Sequence, residues 1–197
     1  LSVPDQELLS LAASGGLRNE ALRHQIERML TDERSQRMIR SFSDQWLNLR
    51  SLSKVTPSLK LYPLYDDLLN HYLPIEARMY LSHLIRENLP AGHLIDSDFS
   101  FLNQRLARHY GIEGVIGHRM RKVSFPPESP RGGLLTMGSV LKVTTDGFDT
   151  SPILRGAWIS RNIVGTPLSP PPESIPALEP EHGHAETLRE QLSLIHI

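Results

Sequence analysis

From Asn19 to Leu49, and again from about Leu64 to Glu87 after the interruption "TPSLKLYP", the apolar side chains recur every three or four residues, and nothing else in the chain narrows its fold so far. That spacing lines one side of an α-helix; a strand would need a repeat of two. In "NEALRHQIERML" the stripe is Leu22, Ile26, Met29 and Leu30, with Asn19 expected as the cap. Asp32 is expected to start the next helix, whose buried face is Met38, Phe42, Trp46 and Leu49, widened by Ile39. A longer helix is expected from about Leu64 to Glu87, carrying Leu68, Tyr72, Ile75, Met79 and Leu84. Pro74 lies inside it. An interior proline deletes a backbone hydrogen bond and crowds the preceding turn, at a cost of roughly 3 kcal/mol, so a kink or break is expected there. Upstream, "PDQELLSLAASGG" has its acids first and Gly15-Gly16 last, as a short capped helix should.

Asp98 is expected to cap a helix through "FSFLNQRLARHYG", closed by Gly111. Residues 1–114 therefore read as a helical domain. Beyond Gly111, glycine and proline crowd in and "RMRKVSF" alternates weakly, so residues 115–130 read as a linker or extended segment. Residues 131–191 then read as a smaller, truncated second unit that is loop- and proline-rich and partly helical. Within it "RGGLLTMGSVLKV" is a helix approached through Gly132-Gly133, and "TSPILRGAWISRNIVG" a helix capped by Thr150 or Ser151, with Pro152 in its first turn. "SPPPESIPALEP" must be an extended strap, because each proline fixes its own φ and disfavours helix in the residue before it. The closing "LSLIHI", residues 192–197, resembles the translated read-through of a sequencing adapter and is expected to be a non-native tail. The fold class expected is all-α: an irregular helical bundle followed by the smaller unit.

Composition removes several functions. A net charge of -1 with 22% charged residues gives no field to gather nucleic acid, and no nucleic-acid partner is expected. The chain has no run of about eighteen apolar residues and no charged-then-apolar leader, so no membrane insertion and no signal peptide are expected within it. Cysteine is absent, which excludes disulfides, thiolate metal sites, a cysteine nucleophile and a Cys-x-x-Cys-His haem attachment in these 197 residues.

Few side chains carry chemistry. His182 and His184, beside Glu181 and Glu186, form the one compact group with metal-ligand spacing, but a proline-rich surround gives no rigid support, and a solvated tail is the favoured reading. Asp96 and Asp98 could act as an acid/base pair if one were desolvated, although turn formation and capping are favoured. Gly132-Gly133 could cradle an anion, but no phosphate-loop lysine follows, and a tight turn is favoured. Ser139 lacks the second glycine of a nucleophile elbow. His118, Arg119, Arg121 and Lys122 make a small basic patch without interleaved aromatics, expected to be a solvated strand edge. Trp46 and Trp158 stand on apolar helical faces, where core packing outweighs a sugar platform. Catalytic and cofactor-binding residues are therefore expected to be absent, with Asp96 and Asp98 as the alternative for hydrolase or carbohydrate-processing chemistry, and His182 and His184 as the alternative metal pair.

Four stretches, "FSDQWLNLRSL", "DFSFLNQRLARHYGI", "RGGLLTMGSVLKVTT" and "TSPILRGAWISRNIVGTPLSPPPESIPALE", together resemble planctomycete-type cytochrome-c-associated proteins, large secreted multi-domain chains. The resemblance spans Pro4 to Gln191 in the family's order and covers two consecutive domains of unknown function. It implies an extracytoplasmic location and a c-type haem in the intact parent, in a segment following "LRE" at Leu188 to Glu190. The partners implied are the parent's other domains, including the haem-bearing segments, beside which this chain would be a non-catalytic scaffold. In that reading Phe42, Trp46, Tyr110 and Trp158 pack cores or inter-domain faces, and Thr150, Ser151 and Arg155 shape the start of the helix before the strap.

Overall fold

A computed structural model describes residues 3–148 and 151–169. The chain divides into two compact units, Leu1–Pro167 and Leu168–Ile197, and every described element belongs to the first. In chain order these are α1 (Gln6–Ala13), α2 (Asn19–Thr31), α3 (Ser35–Trp46), a 3-10 segment (Leu49–Lys54), α4 (Asp67–Arg86), a 3-10 turn (Ala91–Leu94), β1 (Phe99–Leu102), α5 (Gln104–Tyr110), β2 (Arg121–Ser124), a 3-10 turn (Leu134–Thr136), α6 (Gly138–Val143), α7 (Pro152–Ile159) and a π-helical turn (Ser160–Val164). The proline strap, His182, His184, Thr150 and residues 192–197 lie outside the described residues.

The architecture is mainly α, and the all-α expectation is corrected by a two-stranded antiparallel sheet. Phe99 pairs with Ser124 and Leu102 with Arg121. "FSFL" therefore leaves the helix expected of it, because "RKVS" some twenty residues on supplies the ladder partner that local spacing cannot reveal. Consequently Asp98 does not cap α5. Asn103 does, its side-chain oxygen accepting from Leu106 N–H at 3.0 Å, and Gly111 closes the helix at φ 70°.

Helical periods hold, but their phase shifts. On α3 the buried residues are Ser35, Ile39 and Ser43, followed by Leu47 just past the helix. Phe42, expected in the core, is 46% exposed. On α4 the buried line is Leu69, Leu73, Glu76 with Ala77, Tyr80 and Leu84, one position on from the expected Leu68, Tyr72, Ile75 and Met79. Asp66 caps α4 by accepting from Leu69 N–H at 2.7 Å. The helix runs unbroken through Pro74, because its buried line spans both sides of the proline and outweighs one lost hydrogen bond.

The stripe expected on α2 is not buried either: Leu22, Ile26 and Met29 are 41, 49 and 46% exposed. The residue that α2 buries is Gln25. Its Nε2 donates to Glu7 at 2.7 Å, its Oε1 accepts from Arg28, and Arg28 pairs with Asp5 at 2.8 Å. A polar network thus seats α2 on α1. Arg18, not Asn19, stands at the N-cap, and Asn19 takes the left-handed conformation at φ 46° that asparagine tolerates.

Two cores lie in succession along α4. One gathers Leu69 and Leu73 with Leu102, Leu106, Ala107 and Val115. The other gathers Ala77, Tyr80, Leu81 and Leu84 with Leu47, Leu52 and Phe99, and also Leu134, Met137, Val140 and Trp158. Each such apolar side chain, fully buried, contributes roughly 1.5–3 kcal/mol. Residues past 130 are therefore part of this core.

Candidate functional site

Where the loop before α4 meets α6, the surface folds into a cleft of about 450 Å³. Leu61, Tyr62 and Leu64 form one wall, Leu69 and Leu73 of α4 the next, and Leu141 and Lys142 of α6 the third, with His109 and Arg155 at the margins. The fold holds this loop in place at both ends. Ser58 N–H donates to Gly147 O at 2.9 Å, and Tyr62 Oη donates to Phe148 O at 2.9 Å. Gly147, at φ 96°, leaves no room for a side chain, since a Cβ would stand 2.6 Å from Thr56 O.

Lys142 supplies the cleft's polar chemistry. It is 7% exposed, and its Nζ donates to Tyr65 Oη at 2.6 Å and to Asn70 Oδ1 at 2.8 Å, while Tyr65 Oη itself donates to Asn70 Oδ1 at 2.7 Å. Both partners are neutral, and two bonds leave one of the three ammonium protons unused. Burial pushes the Lys142 ammonium below its ordinary range, and burial raises the Tyr65 hydroxyl. His109 is also lowered, first by desolvation and then by Arg105 and Arg131. No aspartate or glutamate is among the described residues lining the cleft.

Directly behind the wall formed by Leu73 and Gly138 lies a buried carboxyl. Glu76, 1% exposed, stands where α4 passes from one core to the other. Its Oε1 accepts from Ser100 Oγ at 2.7 Å and its Oε2 from Tyr110 Oη at 2.6 Å. Tyr110 Oη in turn accepts from Gly138 N–H at 2.8 Å, and the Arg131 guanidinium sits 4.0 Å over the Tyr110 ring. Burial pushes the Glu76 carboxyl up to about 7, against the hydrogen bonds of Tyr110 and Ser100 and the charge of Arg131. The Tyr110 hydroxyl is raised well above its ordinary value by enclosure and by the Glu76 charge. Glu76 reaches no described cavity, so the network bonds α4, β1, α5 and α6 together rather than facing a ligand.

Comparison with protein families fits this junction. Residues 1–112 match the family described as PSD4, protein of unknown function (DUF1592), more than half of the chain. The chain belongs to the PSD4 family. Residues 131–196 match a second family, PSCyt3, also a protein of unknown function (DUF1588). The two domains are consecutive, and both families are planctomycete cytochrome-c-associated. No curated protein and no solved structure matches the chain.

Glu76 and Tyr110 thus belong to the PSD4 segment and Gly138 to the PSCyt3 segment, as do Tyr65 and Lys142 respectively. A third tie runs from Trp46 Nε1, which donates to Asn162 O at 2.6 Å. Phe42 stacks on Trp46 at 5.3 Å, and Trp158 is buried. The two tryptophans tie the segments together, Trp46 through this bond and Trp158 through the shared core.

The expected site residues fall elsewhere. Asp96 and Asp98 are both exposed and do not line the cleft. Gly132 and Gly133 are buried, and their N–H groups are spent on Thr136 Oγ1 and Ser97 Oγ, so they cradle no anion. A Cβ on Gly133 would stand 2.4 Å from Ile95 O, so these glycines serve close backbone packing. The helix expected from "RGGLLTMGSVLKV" is divided at Met137, which is extended at ψ 137°. Ser139 is fully buried, its Oγ without a partner, and it lines none of the described cavities. Of the basic patch, Lys122 sits 4.0 Å over the Phe99 ring and 3.1 Å from His83. Ser151 does cap α7, accepting from Leu154 N–H at 3.2 Å.

Sequence reasoning missed both Glu76 and Lys142. For Glu76 a signal existed: the acid falls three after Leu73 and four before Tyr80, on an apolar line. For Lys142 there was none, because "VLKVTT" reads equally well with lysine in solvent.

Proposed function

We propose that this PSD4 chain is a non-catalytic helical scaffold within an extracytoplasmic, cytochrome-c-associated multi-domain protein, where it positions haem-bearing segments for electron transfer. The observation carrying this reading is that side chains of the PSD4 segment bond the backbone and side chains of the PSCyt3 segment at separate places: Tyr110 with Gly138, Trp46 with Asn162, and Tyr65 with Lys142. Such ties fix the orientation of one segment on the other. The family names support the cytochrome association and, through it, a place outside the cytoplasm. No described helix is long and apolar enough to cross a membrane.

Covalent c-type haem needs cysteine thiols, and the 197 residues contain none. The residues present do not fit that group, and no step of electron transfer is assigned to them. The test is to express the full gene that encodes this chain, in a host that matures cytochromes in its periplasm, and to record the absorption spectrum. A covalent haem spectrum, with Cys-x-x-Cys-His downstream, supports the scaffold reading. A colourless product encoding no such motif refutes it.

A further inference from the structure

We propose that the cleft between the loop before α4 and helix α6 binds an apolar monocarboxylate, its carboxylate on Lys142 Nζ and its hydrocarbon body along Leu61, Leu64, Leu69 and Leu141. Neither family description assigns such a site, and the proposal does not depend on any haem.

Three observations lead to this ligand. The first is charge. The lining holds the Lys142 ammonium and, among the described residues, no carboxylate. A buried ammonium held only by neutral dipoles keeps most of its desolvation cost, and a ligand carboxylate that pairs with it offsets that cost. The second is hydrogen bonding. Tyr65 and Asn70 fix the amine on one side, each at less than 3 Å, and leave one N–H for an acceptor from outside the chain. This is a held amine, and a held donor loses little freedom on binding. The third is the character of the remaining wall. It is built of leucine, proline and tyrosine carbon, which excludes a sugar or a polyanion and accepts a single hydrocarbon chain or ring. A volume of about 450 Å³ falls within the range of small-ligand pockets.

Other candidates carry less. The exposed apolar side of α2 has nothing to show what covers it. The Glu76 network is closed, and Ser139, whose Oγ is unpartnered, lines none of the described cavities.

The experiment is calorimetric titration of the 197-residue chain with octanoate and, separately, with 1-octanol, which has the same body and no charge. Octanoate should bind saturably and roughly tenfold tighter than octanol, the margin of a charge-assisted hydrogen bond. Lys142→Met should bring octanoate down to the affinity of octanol, with circular dichroism verifying that the helices persist. Leu61→Trp, at a residue exposed on the rim, should weaken both ligands by filling the cleft. Absent octanoate binding, equal affinity for the two ligands, or octanoate affinity unchanged in Lys142→Met would each overturn the proposal. Should Lys142→Met fail to fold, the octanoate preference of the parent chain and the weakened binding of octanoate in Leu61→Trp decide the matter, and octanoate binding undiminished in Leu61→Trp overturns the assignment to this cleft.

Discussion

Raising the pH from 4.5 to 8 should weaken this fold through one carboxyl. Glu76 is held at about 7 in the folded chain, against 4.5 when solvated. Between those values the folded state keeps a proton that the unfolded state has released, so unfolding gains favour as pH rises. The stabilisation is complete below 4.5, declines across the interval and is gone once pH has passed about 7. At about 1.4 kcal/mol per pH unit, the interval amounts to about 3 kcal/mol, a large fraction of the 5–15 kcal/mol typical of a domain. Histidines titrate in the same range, and His109, lowered by burial, pulls the opposite way. The measurement is therefore a difference: urea unfolding of the parent chain and of Glu76→Gln, at intervals from pH 4.5 to 8. Glutamine keeps the shape and cannot ionise. Its amide can donate to Tyr110 Oη, at some constant cost that leaves the slope untouched. The parent should lose about 3 kcal/mol relative to the variant across the interval. Parallel pH profiles would refute the assignment of a raised carboxyl to this position.

Other outcomes follow from neighbouring geometry. Arg131→Gln removes the charge that draws Glu76 downward, so the midpoint of the same difference curve should move to higher pH. Gly138→Ala should destabilise by roughly 1–3 kcal/mol, because the added Cβ would lie 2.5 Å from Leu73 Cδ2 and 3.1 Å from Tyr110 Oη. Gly156→Ala meets nothing within 4 Å inside α7 and should stabilise by about 0.5–1 kcal/mol; thermal melts of the two variants give the comparison. Trp46→Phe keeps the ring and deletes the bond to Asn162 O. It should cost about 1 kcal/mol and speed trypsin cleavage after Arg161. Converting both Asp96 and Asp98 to asparagine should leave the unfolding midpoint within about 0.5 kcal/mol of the parent, since both are exposed.

What the sequence made legible was period more than phase. A repeat of three to four residues announces a helix whichever side is buried, so α3 and α4 were readable. Which line of residues turns inward depends on what each helix meets. Ile39 is buried and Leu47 joins the second core while Phe42 stacks on Trp46 at the surface, a choice made by partners far along the chain. The sheet was hidden for the same reason, since "FSFL" needs "RKVS" to become a strand. Asn103, three residues before the periodic "LARHY", was a readable cap that Asp98 overshadowed. The cleft could not have been found: its walls come from residues 57–73 and 138–155, and only packing brings Lys142 to Tyr65.

The bond from Trp46 to Asn162 closes 116 residues of chain, and Trp158 completes a core begun at Leu47. During synthesis, then, the helices up to Tyr110 leave the ribosome with one core still open. At roughly 5–20 residues per second, the chain from Gly111 to Asn162 takes several seconds more to arrive. Through that interval Leu81, Leu84 and Phe99 lack part of their cover. The late contact that fixes the two segments in place is thus also a timer, delaying the finished fold until the PSCyt3 segment has been delivered.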